Sequence, residues 1–234
     1  MATRPVIGRE LKRKVFELLK SADPDPALEE LGRMPERQVI NPLFSFLYNG
    51  DEEVKWAAVQ VMGVIVAKLA DKDIESARVI MRRLMWNLND ESGGIGWGSP
   101  EAMGEILACH EALAKEYHQI LISYAREDGN FQEHELMQRG VLWGIGRLSQ
   151  VRDDLMKDAA PYLMPYLKSP DATVRGLAVW IMGLLGAGEA RPGLEHLAED
   201  EAGLQIYIDR RLIKLRVKDL ALEALERLQN QAKH

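Results

Sequence analysis

The run DATVRGLAVWIMG, residues 171–183, has an acidic start, small residues at its centre and a closing glycine behind three large apolar side chains. Its last ten residues, VRGLAVWIMG (174–183), recur along the chain. They return as VKWAAVQVMG (54–63), IGWGSPEAMG (95–104), MQRGVLWGIG (137–146) and, degenerate, VKDLALEALE (217–226). The closing positions Gly63, Gly104, Gly146, Gly183 and Glu226 stand 41, 42, 37 and 43 residues apart. A helical period of about 40 residues marks a solenoid, in which each helix pair buries its apolar face only by stacking on its neighbours. The chain is therefore expected to be all-α, an α–α superhelix of about five helix pairs.

Inner helices are expected near 52–69, 99–113, 132–149, 171–186 and 217–230, each preceded by an outer helix near 36–48, 73–88, 115–126, 153–168 and 190–199. Residues 1–27 read as an amphipathic capping helix and a linker, because Pro24 and Pro26 forbid continuation of the helix before them. The repeats then run over 28–70, 71–114, 115–150, 151–187 and 188–234 as one domain, 1–234. Alternating apolar and polar residues over 206–217 predict a short β-hairpin inside the last repeat.

With 30 Lys and Arg against 36 Asp and Glu, the net charge is −6. That balance disfavours nucleic acid as the main partner, since such binding rests on cationic contacts to phosphates. One cysteine, Cys109, allows neither an intrachain disulfide nor a cysteine-based zinc site. The amino terminus is charged too early for a signal core, and no apolar run is long enough to span a bilayer, so a cytoplasmic location is expected.

The repeated phrase, above all DEEVKWAAVQVMGVI (51–65) and DATVRGLAVWIMGLLG (171–186), resembles the phycobilisome-lyase type of HEAT-like repeat. The match lies in the Asp-x-x-Val-Arg/Lys start, the small central residues and the closing hydrophobic-Gly. The resemblance implies a HEAT-like solenoid. It implies no single activity, because its relatives include scaffolds, chromophore lyases, a di-iron hydroxylase and a DNA glycosylase.

At about 100° per residue, positions −9, −6, −5, −2, −1 and +2 from each closing residue share one side of the inner helix. In the fourth repeat these are Val174, Leu177, Ala178, Ile181, Met182 and Leu185, a core stripe. Positions −7 and −3 lie opposite. They hold Trp56 and Gln60, Trp97 and Glu101, Arg139 and Trp143, and Trp180 beside Gly176. The reading that follows is a concave, tryptophan-lined groove for a protein partner, with Arg139 and Glu101 as polar specificity groups; the alternative is that the 206–217 hairpin, the 92–100 loop or a tightly curved superhelix covers the rings. Trp143→Ala and Trp180→Ala are then expected to lose binding while the melting temperature barely moves. The charged residues Lys55, Arg175 and Lys218, with Asp51, His134 and Asp171, read instead as a ladder tying turns to adjacent inner helices.

The segment SGGIGWGSPE (92–101) interrupts the second repeat. Ser99 and Pro100 read as N-cap and first residue of a late-starting helix. Gly93, Gly94, Gly96, Gly98 and Ser99 would then form a rim loop or anion seat at its N terminus. Catalytic chemistry finds little support. The pairs His110-Glu111 and His134-Glu135 are similar to the iron-binding pairs of the HEAT-like hydroxylase, but they stand out of register with the repeat. No catalytic residue, metal site or cofactor is expected from His110, His118 and His134, and no nucleophile with its base can be assembled. The alternative is a small-molecule binder, or a lyase- or glycosylase-type enzyme, using the same groove and glycine loop.

Overall fold

The structure, a computed structural model, describes residues 8–21, 24–89 and 96–231. The chain divides into two compact units, 1–110 and 111–234. In the first unit, α1 (Gly8–Leu19) and α2 (Pro24–Arg33) precede α3 (Glu36–Phe46), α4 (Glu52–Lys72), α5 (Ile74–Asn89) and α6 (Ser99–Cys109). The inner helices α4 and α6 lie against each other, while α3 and α5 each pack on α4. The helix α2 corrects the expected linker. Its two prolines, Pro24 and Pro26, occupy the first turn, where a missing N–H costs no hydrogen bond. The pair α1 and α2 therefore stands ahead of the pairs read from the sequence.

The second unit opens with α7 (Glu111–Ser123) and α8 (Glu135–Ser149). The expected outer helix at 153–168 is a broken run: α9 (Asp153–Met156), a 3-10 turn, α10 (Ala160–Leu163) and a second 3-10 turn. Pro161 and Pro165 interrupt the backbone ladder there. Then come α11 (Ala172–Leu185), α12 (Arg191–Leu197) and, after a hairpin, α13 (Val217–Gln231). The inner helices α8, α11 and α13 stack in that order. The hairpin pairs β1 (Gly203–Ile208) with β2 (Arg211–Arg216), antiparallel, Ile206 opposite Ile213. Its two turn residues, Asp209 and Arg210, both have positive φ, 48° and 63°, as a two-residue primed turn demands.

The core stripe lies where the phase put it except at its end, where Leu185 is half-buried. Val54, Val61, Met62 and Ile65, and Val174, Leu177, Ala178, Ile181 and Met182, are all buried. The acidic start of the phrase is a helix cap. Asp51 Oδ1 accepts from Glu53 N at 3.1 Å and Asp171 Oδ1 from Val174 N at 2.9 Å, while His134 Nδ1 accepts from Leu136 N. The charges behind it form a ladder, but with other partners than expected, since Asp51 and His134 serve only as caps in the bonds described. Lys55 meets Glu101 at 3.0 Å, Arg139 grips Asp171, Arg175 meets Asp200 at 2.7 Å and Lys218 pairs with Glu201.

Asp171 gives this ladder a pH signature. Burial pushes its carboxyl upward, but hydrogen bonds from Arg139 and Val174 outweigh that and hold it below the ordinary carboxylate value. A pKa lowered by folding stabilises the protein above the unfolded value and stops doing so as pH falls through the folded one. Wild type should therefore lose stability from about pH 4 downward. Asp171→Asn, which can still cap α11, should be less stable at pH 7 and show a shallower acid decline in urea titrations. Equal slopes for the two proteins would remove Asp171 from the acid response.

Candidate functional site

The tryptophans expected to line a groove do not share one environment. Trp56, Trp143 and Trp180 are buried, at 6, 4 and 7% exposure. Each has a partner that explains this. Trp56 donates its indole N–H to Glu52 at 3.0 Å, and Lys55 lies over its ring. Trp143 donates to the carbonyl of Tyr207 at 2.7 Å and contacts the Tyr207 ring, so the hairpin covers it. Trp180 lies on α8: a Cβ added at Gly146 would sit 2.1 Å from Trp180 Cζ3.

The phase was right and the inference of an open face was not. An inner helix inside a stack has neighbours on both flanks, so the side opposite the core is largely consumed by helix–helix contact. The closing glycines are the seats of those contacts. Gly63 receives Glu105 and Cys109 of α6, Gly146 receives Trp180, and Gly183 receives Ala224 of α13.

The polar members of the expected groove are likewise engaged. Glu101 is buried against Lys55, and Arg139 holds the carboxylate of Asp171. Gln60 is half-buried on α4. The anion seat is also corrected. Gly98, not Ser99, is the N-cap of α6, with φ 78° and no side-chain cap bond, and the Ser99 N–H is donated to the Gly96 carbonyl at 2.9 Å. Glu101 already places a carboxylate in the first turn, where it complements the helix dipole. Gly93 and Gly94 lie outside the described residues.

Trp97 alone of the expected set is exposed, at 40%, and it marks a different surface. It borders a cleft of about 580 Å³ in the first unit, together with Phe44 and Tyr48, Arg83 and Asn87 of α5, and Ser99. Tyr48 is 59% exposed, and Trp86, three residues on from Arg83, is 73% exposed. Arg83 stacks on the Phe44 ring at 3.8 Å and donates to Asn41 Oδ1 at 2.7 Å. The two glycines of this edge shape it: Gly96 packs against the Asn87 carbonyl and Gly98 against that of Leu47.

Sequence reasoning weighed Trp97 through its repeat position and passed over Tyr48, Arg83 and Trp86. An available signal was the placement of Trp86 two residues from both Leu84 and Leu88, on the side of α5 opposite the apolar spacing Ala77, Ile80, Met81, Leu84 and Leu88. The cleft can hold an apolar or aromatic side chain between an aromatic wall and a guanidinium. Among the described residues, no group of three or more His, Cys, Asp or Glu could hold a metal ion, and no helix is long and apolar enough to cross a membrane.

The HEAT-like repeat family matches residues 135–185, which span α8 to α11. An uncharacterized protein of Archaeoglobus fulgidus is 25% identical over 189 residues, covering 79% of this chain and 94% of its own. Among solved structures, an engineered protein superposes with TM-score 0.54 at 16% identity, covering 94% of this chain and 99% of its own. A designed armadillo repeat protein in complex with a (KR)4 peptide gives TM-score 0.52 at 20% identity, covering 94% and 99%. These likenesses support the α-solenoid fold.

Proposed function

We propose that this protein is a non-catalytic docking scaffold that binds a protein partner through the cleft bounded by Trp97, Tyr48 and Arg83. One domain of HEAT-like repeats of the phycobilisome-lyase type, acting in the cytoplasm, is part of this reading. The observation that carries it is the meeting of Trp97 and Tyr48, both exposed, at a cleft edged by an arginine. Tryptophan, tyrosine and arginine dominate binding hot spots because they bury large area with few rotors and keep a polar end. Exposed rings cost little while free and contribute on being covered, as a partner surface requires. The peptide held by the designed armadillo protein adds support at the level of the fold.

The test is capture from a host lysate by wild type and by a Tyr48→Ala/Trp97→Ala variant, with both proteins melted alongside. The expected result is a specific protein retained by wild type and lost by the variant, with melting temperatures within a few degrees of each other. Recovery of the same proteins by both would remove this cleft as the docking face. The small-molecule alternative would then lead.

A further inference from the structure

Three depressions on the first unit run together around Asn41. The 580 Å³ cleft shares Asn41, Phe44 and Arg83 with one of about 360 Å³ between α3 and α5, floored by Ile40, Leu69 and Ile80. A third, of about 520 Å³, lies between α1 and α3, shares Arg37 with the second and adds Lys12. Among the described residues lining all three, every charged side chain is a cation: Lys12, Arg37 and Arg83. That is unexpected for a chain of net charge −6.

Two of these cations, Arg83 and Lys12, face rings or a neutral group, and the third is held by one exposed carboxylate. Arg83 leans on Phe44 and a neutral asparagine, and Lys12 lies over the Phe46 ring at 5.4 Å. Arg37 donates to Ser76 and stands 3.6 Å from Asp73, its nearest carboxylate contact.

We infer that the partner docks here as an extended acidic peptide segment, with carboxylates on Lys12, Arg37 and Arg83 and an apolar side chain over the floor of Ile40, Leu69 and Ile80. This rests on the docking function proposed above and names the chemistry of its partner. A guanidinium stacked on a ring keeps its outer N–H edge free and pre-oriented, which suits a bidentate carboxylate. The apolar floor distinguishes the surface from a phosphate track. Ile40, Leu69 and Ile80 offer nothing to a sugar–phosphate chain, whereas a Phe or Leu side chain buries well there.

Fluorescence anisotropy on the full chain tests it, with fluorescein-labelled (Asp-Glu-Phe)3, (Ser-Gln-Phe)3 and (Lys-Arg-Phe)3 peptides and a labelled oligo-dT as probes. Only the acidic peptide should bind wild type at low salt. Its affinity should fall steeply toward 1 M salt, as screening shortens from about 10 to about 3 Å. Arg37→Glu/Arg83→Glu should weaken it about tenfold or more and bring in the Lys-Arg peptide. Arg83→Met keeps an unbranched stem over Phe44 without the charge, and should show the same loss in a protein that melts normally.

Neutral or basic peptides binding wild type as well as the acidic one would overturn the acidic assignment. The docking function would survive that result if Tyr48→Ala/Trp97→Ala abolished their binding. Oligo-dT binding more tightly than the acidic peptide, with loss on Arg37→Glu/Arg83→Glu, would overturn both. Absence of binding by any peptide would overturn the acidic assignment alone, the lysate capture deciding the other.

Discussion

Trp180→Ala should lower the unfolding free energy by about 3–5 kcal/mol, the range for removing a buried large aromatic side chain. The sequence reading expects the opposite, a binding loss with little change in stability, so the measurement separates an open groove from a packed one. Trp180 is buried between α11 and α8, and the atoms it would vacate touch Gly146. Gly146→Ala should also destabilise, because its new Cβ would lie 2.1 Å from Cζ3 and 2.5 Å from Cε3 of a rigid ring. The indole cannot swing aside as a flexible side chain would, so α8 and α11 must separate. In the double variant Gly146→Ala/Trp180→Ala the clash disappears and the methyl fills part of the void. Its cost should therefore fall short of the summed single costs by 1 kcal/mol or more, a coupling expected of residues in direct contact. Urea denaturation of the four proteins gives the cycle. A Trp180→Ala protein that melts with wild type, or costs that simply add, would mean the ring does not seat on Gly146.

The repeat was legible because stacking imposes its own spacing. A phrase that must place small residues against one neighbour and a glycine against the next cannot drift, so Gly63, Gly146 and Gly183 announced the inner helices. The hairpin was legible too, since period-2 alternation over 206–217 has no helical reading. What the phase did not reveal was the fate of positions −7 and −3. One helix in isolation has an inside and an outside. A helix in a stack has two flanks as well: Trp180 fills one against α8, while the hairpin closes over Trp143. Nothing local to Trp143 announces that Tyr207, 64 residues on, will accept its indole proton. The helix α2 was missed because Pro24 and Pro26 were read as terminators, when the same residues are favourable in a first turn.

The candidate site was less legible for a related reason. Its residues come from three elements, α3 with the turn after it, α5, and the approach to α6, and no periodicity joins them. Tyr48 and Trp97 are 49 positions apart and meet at one cleft only because Gly98 brings the chain against the carbonyl of Leu47.

That contact makes Gly98→Ala the substitution with the widest expected consequence. Gly98 has φ 78°, which costs a residue with a Cβ about 1–2 kcal/mol. The added Cβ would also lie 2.2 Å from Leu47 O and 2.9 Å from Leu47 C, both backbone atoms that no rotamer change can move. Together these should cost about 3 kcal/mol or more, in the range reserved for strained backbone and overpacking. The N terminus of α6 must shift, carrying Trp97 away from Tyr48, so peptide binding at the cleft should weaken as well. Gly32→Ala is the control, since nothing lies within 4 Å of its added Cβ and α2 should gain from the better helix former. A melting curve and the anisotropy assay on both variants decide the matter. Gly98→Ala with wild-type stability would mean that the left-handed cap is not required. Lost stability with full peptide affinity would mean that Trp97 binds nothing from that position, and the docking face would have to be sought elsewhere.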